Sequence, residues 1–148
     1  MKTWAMPVAA AIALALAGCQ STSPASPQSQ ISRLAGTAWH VESIRDVAAA
    51  ANVVSTLEID EQGQVAGVGG CNAYVSTLEV ESQTIRFAEP STANVPCRPD
   101  QAEQENHFFD ALALVRKSRI EHDRLLLLDE KDQVILRLAP GSLSLQVR

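Results

Sequence analysis

The sequence predicts an α+β fold: one small domain, mainly an antiparallel, curled, barrel-like sheet packed around one long helix. Three observations carry this expectation. Segments of alternating apolar and polar residues follow one another through most of the chain, separated by Gly, Asp and Pro turn signals. One segment, from about Gln101 to Arg119, instead repeats its apolar residues at helical spacing. All of this patterning starts after an N-terminal apolar run and a Ser/Pro-rich stretch that take no part in it. The 148 residues leave room for one domain once a leader is subtracted.

Composition narrows the function classes. The chain is 46% hydrophobic and 20% charged, with few aromatic residues, so its core must be built mostly from Leu, Val, Ile and Ala. A net charge of −5 gives no basic face for a nucleic acid, and no nucleic-acid partner is expected.

The N-terminus reads as a targeting segment. Lys2 supplies a short positive region, and Trp4 to Ala17 is an apolar run of roughly 14 residues, too short to span a bilayer. It ends in Leu16-Ala17-Gly18-Cys19, which resembles the bacterial lipobox. The resemblance implies a lipoprotein signal peptide over residues 1–18, cleavage before Cys19, and acylation of Cys19 as the lipid attachment site. Several acyl chains anchor stably where one does not. Position 20 is Gln rather than Asp, which favours the outer membrane, inner leaflet, with the domain facing the periplasm. Residues 19–33 then form the lipidated cysteine and a flexible Ser/Pro-rich tether, expected to be disordered. The folded domain is expected over residues 34–148.

With Cys19 lipidated, two of the three cysteines remain, Cys71 and Cys97. In an oxidising compartment such a pair commonly bridges, and the loop closed here would contribute roughly 3–4 kcal/mol by chain entropy. The alternative is two buried thiols.

Along the domain, Thr37 to Arg45 reads as a first strand with Trp39 and Val41 on one face. Ile44 breaks the alternation, so a bulge or strand end lies nearby. Asp46 to Asn52 is an alanine-rich connector with room for one helical turn. Ser55 to Asp60 and Gln64 to Val68 make a hairpin through Gly63, placed for positive φ. Gly67 allows a bend or a close backbone approach. Val75 to Val80 and Thr84 to Ala88 make another hairpin, and Glu89 to Pro96 an irregular arm ending at Cys97. Asp100 is the expected N-cap of the helix, with Glu103 at capping-box spacing. Phe108, Leu112 and Val115 form its apolar face. Arg124 to Leu128 and Gln133 to Leu138 are closing strands, and after Pro140-Gly141 the tail Leu143 to Val147 alternates as an edge strand would.

The candidate chemistry is thin. Gly67-Val68-Gly69-Gly70 lacks the Lys-Ser/Thr and the following helix of a phosphate loop. His40, His107 and His122 share no metal-ligand spacing, so no metal site or other cofactor is expected. No Ser or Cys has a nucleophile context. Glu103, Glu105 and Asp110 are the carboxylates a hydrolase would draw on, and an enzyme is not expected. Asn72 suits a bracket role, since Asn tolerates left-handed backbone and bonds neighbouring amides.

Gly67 to Asn72, read as G-x-x-G-C-N, stands with the Thr92-to-Cys97 arm, Trp39 on the first strand, Glu105 on the helix and the closing strands Leu125–Leu128 and Val134–Leu138. Together these resemble the META-domain (HslJ-like) family over about Leu34 to Ala139. The resemblance implies a sheet-and-helix domain of a bacterial envelope lipoprotein, linked to stress tolerance or secretion, with no accepted enzymatic activity. Gly67, Gly70 and Asn72 are its structural motif here. Two departures stand out: a glycine usual shortly after the G-C-N is absent, and the tail Pro140 to Arg148 runs past the usual end. The expected role is noncatalytic, with an envelope protein as partner and the membrane reached through the lipid. The alternative is a carrier holding a lipid or small hydrophobe between sheet and helix.

Overall fold

The computed structural model describes residues 26–141. Helix α1 spans Pro27–Leu34. Strands β1 (Ala38–Ile44), β2 (Val47–Ala48), β3 (Thr56–Ile59), β4 (Gln64–Val68), β5 (Ala73–Glu81), β6 (Thr84–Phe87) and β7 (Ser91–Thr92) follow. Helix α2 (Pro99–Leu114) precedes β8 (Lys117–Glu121), β9 (Arg124–Leu128) and β10 (Val134–Gly141).

All strand pairings are antiparallel. The strands run in the order β6-β5-β4-β3-β1-β10-β9-β8, with β2 on β1 and β7 on β5 as side branches. The sheet curls until its two ends meet. There the Ile85 N–H donates to the Arg116 carbonyl at 2.9 Å, but no ladder joins β6 to β8, so the barrel expected from the sequence is not closed. Turn chemistry sets the hairpins. Gly63 has φ +80° between β3 and β4, and Arg45 and Asp46 both have positive φ between β1 and β2, as the tightest two-residue hairpin turn requires. A register shift between Val41 and Ser43 is the bulge that puts both Val41 and Ile44 inside.

The core lies between the concave face of the sheet and α2. Phe108, Ala111, Leu112 and Val115 from the helix segment meet Leu57, Ile59, Ile85, Leu125, Leu127, Leu136 and Leu138, each at most 1% exposed. Helix α2 rests on β1, β6 and β10. Tyr74 packs edge-on against Phe108 and Phe109, which are tilted to each other, with ring centroids 5.2–5.7 Å apart.

Several expectations need correcting. There are two helices among the described residues, not one. Residues 27–33, expected as disordered tether, form α1, because Ser26 accepts a hydrogen bond from the Ser29 N–H and Pro27 sits at the helix start. The helix then buries Leu34 and packs Ile31 onto the core. Its polar side chains are tied down too: Gln28 donates to the Glu61 carbonyl and Gln30 to the Ser82 carbonyl. The long helix ends at Leu114, short of Arg119. Lys117–Glu121 pairs along β9 instead, turning at His122 with φ +57°, and hairpin pairing overrides the helical reading of that stretch. The N-cap of α2 is Arg98 rather than Asp100. Pro99 occupies the first helical position, which leaves Asp100 in the first turn, held by Arg98 at 2.7 Å. The alanine-rich connector holds β2 and the irregular arm holds β7. Strand β10 runs on through Pro140 and Gly141, pairing with β1. Cys19 and the tail Leu143 to Val147 lie outside the described residues.

Phe108→Ala removes the central helix side chain of this core. It is expected to cost about 3–5 kcal/mol in urea unfolding, whereas Asn106→Ala, on the exposed side of the same helix, stays within about 0.5 kcal/mol.

Candidate functional site

The glycine loop between β4 and β5 is packed flat against α2. A Cβ on Gly70 would stand 2.9 Å from the Gln101 carbonyl oxygen, and one on Gly69 2.7 Å from the Phe109 ring. At Gly67 it would stand 2.2 Å from the Thr56 carbonyl oxygen. Glycine at these positions is the condition for the loop to touch both the helix and the neighbouring strand.

The contact so allowed is a set of charge-assisted hydrogen bonds to one carboxylate. One oxygen of Glu105 accepts the Cys71 N–H at 2.9 Å and the Asn72 N–H at 2.6 Å, and the other accepts the Asn72 side-chain amide at 2.8 Å. The Asn72 side chain then reaches the other way. Its oxygen accepts the Val95 N–H at 2.7 Å, and its amide lies 3.2 Å from Cys97 Sγ. Cys97 is bonded to Cys71, with the Cα atoms 6.0 Å apart. Of the residues singled out in the sequence, Gly70, Cys71 and Asn72 lie against Glu105, Cys97 joins them through the disulfide and Asn72, and Gly67 packs instead on Thr56 and Tyr74. Burial alone would raise the Glu105 pKa. The hydrogen bonds from Asn72 and Cys71 outweigh it and hold the carboxyl below its ordinary value.

The preceding residue does comparable work on the other side. Gln104 accepts the Ala50 N–H at 2.7 Å and donates to the Val53 carbonyl at 3.2 Å and to Ser55 Oγ at 2.9 Å. Ser55 in turn donates to the Gly69 carbonyl. Tyr74 donates to the Thr56 carbonyl at 3.0 Å, and burial pushes its phenol pKa up. Sequence reasoning missed Gln104 and Ser55. A polar residue within an otherwise apolar helix face was the available signal.

The carboxylates a hydrolase would need are not brought together. Glu105 points inward and is consumed by the loop, while Glu103 and Asp110 are exposed on another face of α2. Among the described residues no group of His, Cys, Asp and Glu could hold a metal ion. Among the described residues, the side chains that face one another between sheet and helix are buried. One surface groove of about 360 Å³ lies between the β1–β2 hairpin with its following alanines and the exposed face of α2, and a larger, open one of about 630 Å³ lies by Asp46, Leu114, Asp129 and Arg137.

The META domain family model matches residues 32–141. No curated protein matches. Among solved structures, the chain is similar to a protein from Burkholderia xenovorans determined by NMR (15% identity, TM-score 0.60, covering 88% of this chain and 99% of that one). A second NMR structure is similar at 14% identity and TM-score 0.57, covering 74% of this chain and 92% of that one. A DUF4847-family protein from Bacteroides vulgatus follows at 14% identity and TM-score 0.50, covering 72% and 93%. At such identity these likenesses concern the fold alone.

The Glu105 geometry has a pH signature. Its folded-state pKa is depressed, so its contribution is present above the unfolded carboxylate value of about 4.3 and is lost as pH falls through the lower folded value. Glu105→Gln is expected to lower stability at neutral pH by about 1–3 kcal/mol. Urea midpoints taken from neutral to acid pH should then fall less steeply for the variant than for the unsubstituted protein.

Proposed function

The chain belongs to the META-domain family, and from that premise we propose that it is a noncatalytic lipoprotein of the bacterial envelope whose domain docks a protein partner. One observation carries the noncatalytic half: the motif that marks this chain is spent on its own fold. Both oxygens of Glu105 and both polar atoms of the Asn72 side chain are bonded within the loop and the arm. The exposed carboxylates of α2 stand apart from them. A core of side chains buried against one another supports docking on the surface over carriage of a lipid inside.

The anchor follows from the leader. Acylation at Cys19 ties the domain to the membrane, and Gln20 favours the inner leaflet of the outer membrane. Helix α1, the first described element, starts at Pro27, so on this reading residues 20–26 would be the tether. Extended, they reach at most about 25 Å, which keeps the domain close to the bilayer and within range of envelope proteins.

Metabolic labelling with palmitate, joined to in-cell cross-linking of the full chain, tests this. Label is expected on the unsubstituted protein and absent from Cys19→Ser, with a reproducible envelope protein cross-linked to the anchored form. Label persisting in Cys19→Ser would overturn the anchor. An anchored protein with no reproducible cross-link would overturn the docking role.

A further inference from the structure

Strand β8 is an open end of the sheet. Among the described residues it pairs with β9 alone, and a single bond reaches the chain just before it, from the Ile85 N–H to the Arg116 carbonyl. The turn at His122 closes β8 onto β9 through the pair Glu121 and Arg124. In a two-residue hairpin that pair is hydrogen-bonded, and such pairs then recur at every second residue, here Arg119 with Leu126 and Lys117 with Leu128. The backbone N–H and C=O of Ser118 and Ile120 therefore point away from β9, and no described group bonds them. Strand β6 cannot cover them. An odd number of antiparallel steps separates β6 from β8, so the two run antiparallel, and β6 turns back at Ser82 before it reaches Ile120. Lys117, Arg119 and Glu121 are exposed, and Ile120 is 49% exposed.

Charge of one sign along such an edge would repel a second strand. Here the sign reverses. Lys117 and Arg119 precede Ile120, and Glu121 and Asp123 follow it, so the segment is complementary to itself read backwards. A second copy laid antiparallel, with a two-fold axis at Ile120, sets Arg119 opposite the second copy's Glu121 and Lys117 opposite its Asp123. It also brings Ile120 against Ile120 and lets their outward backbone groups bond each other. Neighbouring registers fail. An axis at Arg119 sets the two arginines directly opposite, and one at Ser118 sets Lys117 opposite Arg119, like charges that destabilise a strand pair. The present partners of these charges are exposed: Arg119 lies 2.7 Å from Glu121, Lys117 lies 2.7 Å from Asp132, and Asp123 holds Arg124. Exposed pairs of this kind contribute little. Arg119 and Glu121 can keep each other and gain a second partner across the axis.

We propose that the chain self-associates through β8, two copies pairing antiparallel about Ile120 so that the sheet continues across a two-fold axis. One added strand is a small interface, so the dimer is a weak one.

Sedimentation equilibrium of the full chain in a density-matched nonionic detergent, with the protein raised to about 0.5 mM, tests this. The unsubstituted chain is expected to pass from monomer to dimer mass as concentration rises. Arg119→Glu and Glu121→Arg each set like charges opposite one another twice across the axis, and each should weaken the dimer at least about tenfold. An equimolar mixture of the two variants brings opposite charges together again and should recover a dimer of mixed composition. That recovery also shows that both variants fold. If either does not, Ile120→Glu, which sets two carboxylates on the axis, takes its place and should abolish the dimer. A monomer at every concentration would overturn the proposal. So would a dimer indifferent to the variants, which puts the contact elsewhere, or a mixture that stays monomeric. The result does not depend on whether the domain also docks an envelope protein, on which the in-cell cross-links report separately.

Discussion

The structure turns on one carboxylate. Glu105 projects from α2 into the turn between β4 and β5 and accepts three N–H groups, two from the backbone of Cys71 and Asn72 and one from the Asn72 side chain. A buried turn with unmet amide donors is costly, and a charge buried without partners is costlier. Each meets the other's need here. The arrangement works only because Gly67 lets β4 lie against β3 and Gly69 and Gly70 let the loop lie against the helix. The sequence pattern and the interaction are one constraint seen twice.

From this point the contacts spread in two directions. Asn72 carries the bond onward to Val95 and Cys97, so the arm before α2 is fastened by a hydrogen bond as well as by the disulfide. Gln104, one residue earlier on the helix, fastens the strand of chain from Ala50 to Ser55, and Ser55 returns to Gly69. Helix α2 thus holds two separate parts of the sheet with two adjacent polar side chains, while Phe108, Ala111 and Leu112 supply the apolar contact. The face bearing Glu103 and Asp110 is left outside this network, which is why any binding role falls to the surface.

Much of this was legible in the sequence, for identifiable reasons. Alternation placed β1, β3, β4, β5, β6 and β10, the apolar run Leu125 to Leu128 placed β9, and Gly63 marked a turn whose positive φ the structure contains. Phe108, Leu112 and Val115 are the buried face their spacing predicted. The G-C-N segment drew attention because its residue types are rarely free choices. What could not be read was nonlocal. Helix α1 hides in Ser/Pro-rich composition, since the apolar contact that stabilises it comes from the sheet. Strand β8 lies in residues that continue the helical pattern, and its pairing with β9 decides. The two-residue strands β2 and β7 exist only through their partners. The importance of Glu105 was visible as a family feature. Its partners, and the inward turn of Gln104 beside it, depend on which way the helix faces.

A double-mutant cycle between Asn72→Ala and Glu105→Ala, read by urea unfolding at neutral pH with the disulfide intact, measures whether the two residues act as a unit. The account predicts a coupling of about 1–3 kcal/mol, since either truncation alone already breaks the shared network. Costs that simply add, within about 0.5 kcal/mol, would contradict it and leave the loop held by packing and the disulfide instead.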